Sequence, residues 1–267
     1  SHLHIDRPDR YGTGLLGVTQ EATLRNVGLA NVSITGGQRT GALVGAAMYG
    51  TIQNVYSSGV VGGEYYVGGL IGTQHELNTR YARSWATVSG DRHIGGLAGF
   101  NGSWIEYSYA KGNVTATGAL SGSANSAGGL TGDNTGVLSN SYATGHVVGA
   151  NYVGGLTGYS NNWIENTYAT GSVTATGERV GGLVGHHGGS IHQSYATGAV
   201  SSPGALVGGL TGYSDDAWAA DTSFWDVQRT GQASSGAGRP MNTADFKVRD
   251  NFTSATEANG NQDPGWN

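Results

Sequence analysis

Large apolar side chains in this chain stand singly between glycines and small polar residues, and they return at fixed intervals. The leucine of a G-G-L-x-G phrase, or a close variant, falls at Leu15, Leu43, Leu70, Leu97, Leu130, Leu156, Leu183 and Leu210. Successive steps are 28, 27, 27, 33, 26, 27 and 27 residues, the long one reflecting a small-residue insertion, ALSGSAN, that begins at Ala119. Further columns keep the same register. An aliphatic residue recurs at Leu24, Ile52, Ile105, Leu138, Ile164 and Ile191. Four residues later comes an aromatic at Tyr56, Tyr109, Tyr142, Tyr168 and Tyr195, with Trp85 taking that place in the third unit. Valines follow at Val61, Val114, Val147, Val173 and Val200, and a last column runs through Val67, Ile94, Ala127, Val153, Val180 and Val207. A period of this length marks a stacked array of short units.

Helices do not fit, because each segment has only three to six residues between glycines and is rich in Val, Thr and Tyr. Each unit predicts three short strands, in coil six around VGGLTG, WIENTYA and SVTATG. Val153 and Leu156 are three apart, so strict alternation cannot turn both inward. A bend at Gly154-Gly155, in a corner conformation closed to other residues, is the expected solution. The fold class is therefore all-β. The expected architecture is a parallel β-solenoid, right-handed by the general preference of crossovers, with about eight coils from Tyr11 to Ser214. Every column, the aromatic one included, becomes a ladder of like side chains inside the stack. At about 4.8 Å per coil the body is roughly 38 Å long. Residues 1–214 form the solenoid and residues 215–267 an irregular, aromatic, acidic cap carrying Trp218, Phe224, Trp225, Phe246 and Phe252.

Composition sharpens this picture. The chain has 267 residues, 49 of them glycine, no cysteine and only 12% charged residues. Its 14 tyrosines, 6 tryptophans and many valines argue against a disordered glycine-rich linker. The net charge of −5 is uneven: residues 1–214 hold 10 acids and 9 bases, whereas residues 215–267 hold 8 acids and 4 bases. A nearly neutral body offers no footprint for nucleic acid, and no apolar run approaches the length of a membrane span. The acidic cap is expected to discourage strand addition at the C-terminal end. End-to-end association is expected at the less protected N-terminal end.

The phrases GGLVG and SYATG resemble the GLUG-motif repeat, named for its G-L-x-G core, and the resemblance extends from Gly12 to Gly212. It implies a stalk or accessory region of a large exported bacterial protein, such as filamentous-haemagglutinin-like adhesins and some immunoglobulin A metallopeptidases. An extracellular or cell-surface location follows from it, with flanking domains of the same polypeptide as neighbours. The repeat has no catalytic residues assigned to it, so this segment is expected not to be an enzyme.

Candidate chemistry is sparse. His186, His187 and His192 lie close in one coil, but inward Ile191 sends His192 outward from another strand, so solvated histidines are expected rather than a metal site. Glu106 and Glu165 share a column two coils apart, about 9.6 Å between backbones, with no Arg or Lys expected beside them. Together with Asp215 they define the rival reading, a β-helix polysaccharide lyase or glycoside hydrolase. No cofactor motif is present. Aromatics are more suggestive. Trp104 and Trp163 precede the inward Ile105 and Ile164 and should face solvent, while Phe100, Tyr159 and Tyr213 follow the G-G-L-x-G phrase in alternate coils. These five residues form the candidate glycan-stacking face, with Asn101, Asn161 and Asn162 expected to supply hydrogen bonds. Partners are therefore a cell-surface glycan or a host or neighbour-cell protein.

Overall fold

The computed structural model describes residues 2–118, 125–216 and 219–266. Trp218 and most of the ALSGSAN insertion lie outside the described residues. The fold is a parallel β-solenoid of about eight coils, each pairing only with its neighbours along the stack. Like residues occupy successive rungs. Val153 pairs with Val180 and that with Val207, Leu138 with Ile164 and that with Ile191, and Val147 with Val173 and that with Val200. The leucines are joined through backbone bonds, Leu156 N–H donating to Leu183 C=O and Leu183 N–H to Leu210 C=O.

Each coil is more divided than the expected three strands. The sixth has five short segments: Val153–Gly154, Thr157–Ser160, Ile164–Glu165, Tyr168–Ala169 and Val173–Ala175. The first two expected strands are each broken once. The segment beginning with Val153 belongs to a separate seven-stranded sheet, and the other four to the large sheet that wraps the rest of the coil.

The interior has two hydrophobic clusters. One gathers the leucine and isoleucine columns with Ala110, Ala143, Ala169 and Ala196. The other gathers the two valine columns. In coils five to seven the chain passes from the second cluster to the first at Gly-Gly and returns near the glycine of Tyr-Ala-Thr-Gly. At both crossings a neighbouring backbone comes so close that a side chain has no room. A Cβ on Gly155 would lie 2.1 Å from Gly182 O, and one on Gly171 would lie 1.9 Å from Gly145 O. Close approach, not a special backbone angle, is therefore what glycine provides there, since neither Gly154 nor Gly155 has positive φ. The left-handed corners belong to other residues. One column runs through Arg39, Tyr66, His93, Tyr152 and Arg179, and another through Asn54, Tyr81, Tyr107, Asn140, Asn166 and Gln193.

The aromatic column is also placed differently. Tyr109, Tyr142, Tyr168 and Tyr195 are only half-buried and line the outside of the stack, while the neighbouring alanines take the core positions. Consecutive rings are nearly parallel, with centroids 4.9, 4.6 and 5.2 Å apart. In the third coil Arg83 occupies the tyrosine rung, and Trp85, two residues on, supplies a ring that meets Tyr56 and Tyr109 edge-on. The third unit is thus in register with both neighbours at this rung, after a one-residue bulge against the fourth coil between Gly102 and Trp104.

Both ends differ from a bare stack. At the N-terminal end His4–Arg7 pairs with Ser33–Gly36, shielding part of the second cluster. Beside it Leu15 remains 47% exposed although aligned with Leu43, because no described residue covers that side of the first coil. At the C-terminal end the cap is partly regular. Phe224–Asp226 continues the tyrosine column by pairing with Tyr195–Ala196, and Arg239–Met241 adds one strand more. Trp225 lies over Gly209, closing the first cluster. Phe224, Phe246, Phe252 and Trp266 pack together against the end of the tyrosine ladder.

Candidate functional site

Inward Ile105 and Ile164 are fully buried, so the preceding tryptophans face outward; Trp104 is 50% and Trp163 43% exposed. Trp104 pairs with Val137, and Leu138 pairs with Ile164, so a single half-buried valine separates the two tryptophans along the stack. Two coils correspond to about 9.6 Å. Trp163 is anchored. Its indole N–H donates to Glu165 Oε2 at 3.2 Å, its backbone N–H to Asn162 Oδ1 at 2.7 Å, and its ring lies 4.5 Å from that of His192. Among the described residues no ring contacts Trp104.

The other three members of the expected face lie apart from these tryptophans. Phe100, Asp133, Tyr159, His186 and Tyr213 form a column in register. Asp133 divides it. On one side Phe100 stacks on His75 at 4.9 Å and meets Tyr66 edge-on; on the other, His186 stands between Tyr159 and Tyr213 at 5.3 and 5.0 Å. No ring of this column touches Trp104 or Trp163 among the described residues. Asn161 and Asn162 are exposed beside Trp163, but Asn101 is fully buried and bonds to Asn134 inside the stack. Asn101 is thus unavailable to a ligand, because its strand position turns it inward.

The carboxylates of the enzymatic reading are occupied by neighbours. Glu106 is buried and ion-paired with Arg80 at 2.5 Å, contrary to the expectation that no base accompanies it. Glu165 accepts from Trp163, and Asp215 meets His186 Nε2 at 3.1 Å. The histidines diverge as well. His187 is fully buried, not solvated, and burial pushes its imidazole down to about 4; His192 lies on Trp163. Among the described residues no group of three or more His, Cys, Asp or Glu is gathered to hold a metal ion.

A cluster missed in the sequence lies between coils three and five. His93 Nδ1 is 2.9 Å from Ser126 Oγ and 3.5 Å from Asp133 Oδ2, and its ring stacks on Tyr66 at 4.6 Å. Burial holds His93 at about 4 and raises Asp133 to about 6. Serine and carboxylate meet the same ring nitrogen, so the imidazole cannot relay a proton between them through its two nitrogens as a catalytic triad requires. No spacing in the sequence marked this cluster, because its members come from different columns.

Comparison with known proteins places the repeat. Residues 176–201 match the family model described as the GLUG motif, so the chain carries the repeat its glycine phrases resemble. A stretch of 90 residues is 44% identical to Halomucin of Haloquadratum walsbyi (strain DSM 16790 / HBSQ001). That match covers 33% of this chain and 1% of Halomucin. No helix among the described residues is long and apolar enough to cross a membrane.

Proposed function

We propose that this chain is a rigid, non-catalytic module of a larger exported surface protein, and that it holds neutral glycan on the Trp104–Trp163 face. The structural half of this reading rests on the GLUG repeat and the solenoid fold. The single observation carrying the adhesive half is Trp104, half exposed and without an aromatic neighbour among the described residues, held on a regular scaffold two rungs from Trp163. Sugars offer C–H-rich faces that stack on such rings, as apolar surfaces do generally. The tyrosine ladder serves this purpose less well. Its rings cover one another's faces at 4.6–5.2 Å, leaving edges and hydroxyls outward.

The non-catalytic reading is supported by the engagement of Glu106, Glu165 and Asp215 with Arg80, Trp163 and His186. An extracellular setting suits a module whose multiplied weak contacts gain by avidity. The test is a glycan array with the wild type and the Trp104→Ala, Trp163→Ala double variant, run beside a depolymerisation screen. Binding of neutral glycan that is insensitive to salt and lost in the double variant supports the proposal. Absence of binding, equal binding by the variant, or turnover abolished by Glu165→Gln overturns it.

A further inference from the structure

The end of the tyrosine ladder opens into a cavity of about 690 Å³ between the last coil and the cap. This lies within the size range of small-ligand sites. One wall is aromatic, formed by Tyr195, Phe252 and Trp266; the rim carries Arg229, Lys247 and Arg249. Hydroxyls of Thr170 and Thr197 border it on the solenoid side.

Charge is segregated here against the trend of the region. Residues 215–267 hold 8 acids and only 4 bases, yet three of those bases surround this one opening. The fourth, Arg239, is used structurally, donating to Asp221 O at 2.7 Å and to Gln262 Oε1 at 2.6 Å. Side chains of Arg229, Lys247 and Arg249 make no hydrogen bond or ion pair among the described residues. Among the described residues Asp226 is the only carboxylate lining the cavity. It is buried, with Oδ1 accepting from Arg229 N–H at 3.0 Å and from Thr243 Oγ1 at 2.7 Å. It therefore holds the short helix in place, and three bases at the opening still outnumber it.

We propose that this cavity binds an anionic sugar residue, its pyranose face against the aromatic wall and its carboxylate or sulfate between the Arg229, Lys247 and Arg249 side chains. Arginine forks match such planar or tetrahedral oxyanions. This site is separate from the tryptophan face and stands without it.

The experiment is titration calorimetry of the full chain with digalacturonate, galactose 6-sulfate, neutral galactobiose and inorganic sulfate. Expected is binding of one or both anionic sugars that weakens as salt rises. The Arg229→Gln, Lys247→Gln, Arg249→Gln variant should bind about tenfold or more weakly, with an unchanged melting transition. The Trp104→Ala, Trp163→Ala variant should bind these sugars as the wild type does, which separates this site from the tryptophan face. The proposal is overturned if neither anionic sugar binds, if galactobiose binds equally, or if the triple glutamine variant retains full affinity. It is overturned too if inorganic sulfate binds as tightly as the sugars, since the ring would then contribute nothing. Should the triple variant unfold, the single Lys247→Gln change and the wild-type salt dependence decide the matter in the same sense.

Discussion

Asn101 donates through Nδ2 to Oδ1 of Asn134 across 2.7 Å, although 33 residues separate them in the chain. The bond belongs to a buried polar ladder. Gln74 Nε2 donates to Asn101 Oδ1 at 2.6 Å, and Asn134 Nδ2 to Ser160 Oγ at 3.0 Å. Each coil thus satisfies the next, and the rungs are locked in register inside the stack. Replacing Asn101 by Leu should leave Gln74 and Asn134 with unpaired groups, at a cost of about 1–3 kcal/mol for each stranded group. Urea denaturation of the variant checks this. An unchanged midpoint would mean that the ladder adds nothing to the backbone pairing.

Close packing at the crossings makes a second expectation. Gly155→Ala drives a methyl to 2.1 Å from Gly182 O and 2.8 Å from Ala169 Cβ. Neighbouring coils must part to admit it, so destabilisation should exceed about 2 kcal/mol. Asn166 is the contrasting site. It is exposed, and its φ of 51° is one that glycine tolerates and a β-branched residue does not. Asn166→Gly should be close to neutral, while Asn166→Val should cost about 1–2 kcal/mol. Thermal melts of the three variants rank them.

The tyrosine ladder should announce itself in alkali. Burial, then the neighbouring Tyr142 and Tyr195 hydroxyls, raise Tyr168 to about 12 from 10.0. The folded chain keeps a proton there that the unfolded chain releases, so this group's contribution to stability falls as pH rises from about 10 towards 12. Ultraviolet titration should show a late-ionising tyrosinate. In Tyr142→Phe that step should move back towards 10, because one neighbouring hydroxyl is gone.

Acid behaviour follows from three buried groups. Burial lowers His93 and His187 to about 4 from 6.5, and raises Asp133 to about 6 from 3.8. On acidification the unfolded chain takes up two histidine protons that the folded chain refuses, so their stabilisation is complete above 6.5 and lost towards 4. Asp133 acts in the opposite sense, its folded form binding a proton between about 4 and 6 that the unfolded chain lacks. Two groups outweigh one, so stability should decline as pH falls through this window. Urea midpoints from about pH 4.5 to 6.5 should fall more steeply in Asp133→Asn and more gently in His187→Gln.

Removing residues after Ser214 should uncover the last coil. Trp225 would leave Gly209 and the first hydrophobic cluster, and the Tyr195–Ala196 strand would lose its partner Phe224–Asp226. An exposed parallel edge invites addition of further strands, so the truncated chain should self-associate in sedimentation velocity. A soluble monomer would show that the cap does not guard that edge.

What the sequence determined by itself was the set of columns, because a buried ladder requires the same kind of side chain at every rung. Leucine, isoleucine and valine recur for that reason, and they made the solenoid and its 27-residue coil legible. The outward direction of Trp104 and Trp163 was legible by the same logic, since Ile105 and Ile164 next to them fill the core. Periodicity could not say which of two adjacent polar or aromatic positions turns inward, for a shift of one residue exchanges the faces of a strand. Only the folded coil decided that the alanine after each ladder tyrosine is buried and the tyrosine ring is not, that Asn101 lies inside, and that Glu106 meets Arg80. Nor could the repeat reveal why glycine stands at the crossings, because the clash it avoids involves the backbone of another coil, 27 residues away for Gly155 and Gly182. The cap cavity was least legible of all. Its walls join Tyr195 of the array to Phe252 and Trp266 of a non-repeating tail, and residues outside a period are brought together by packing alone.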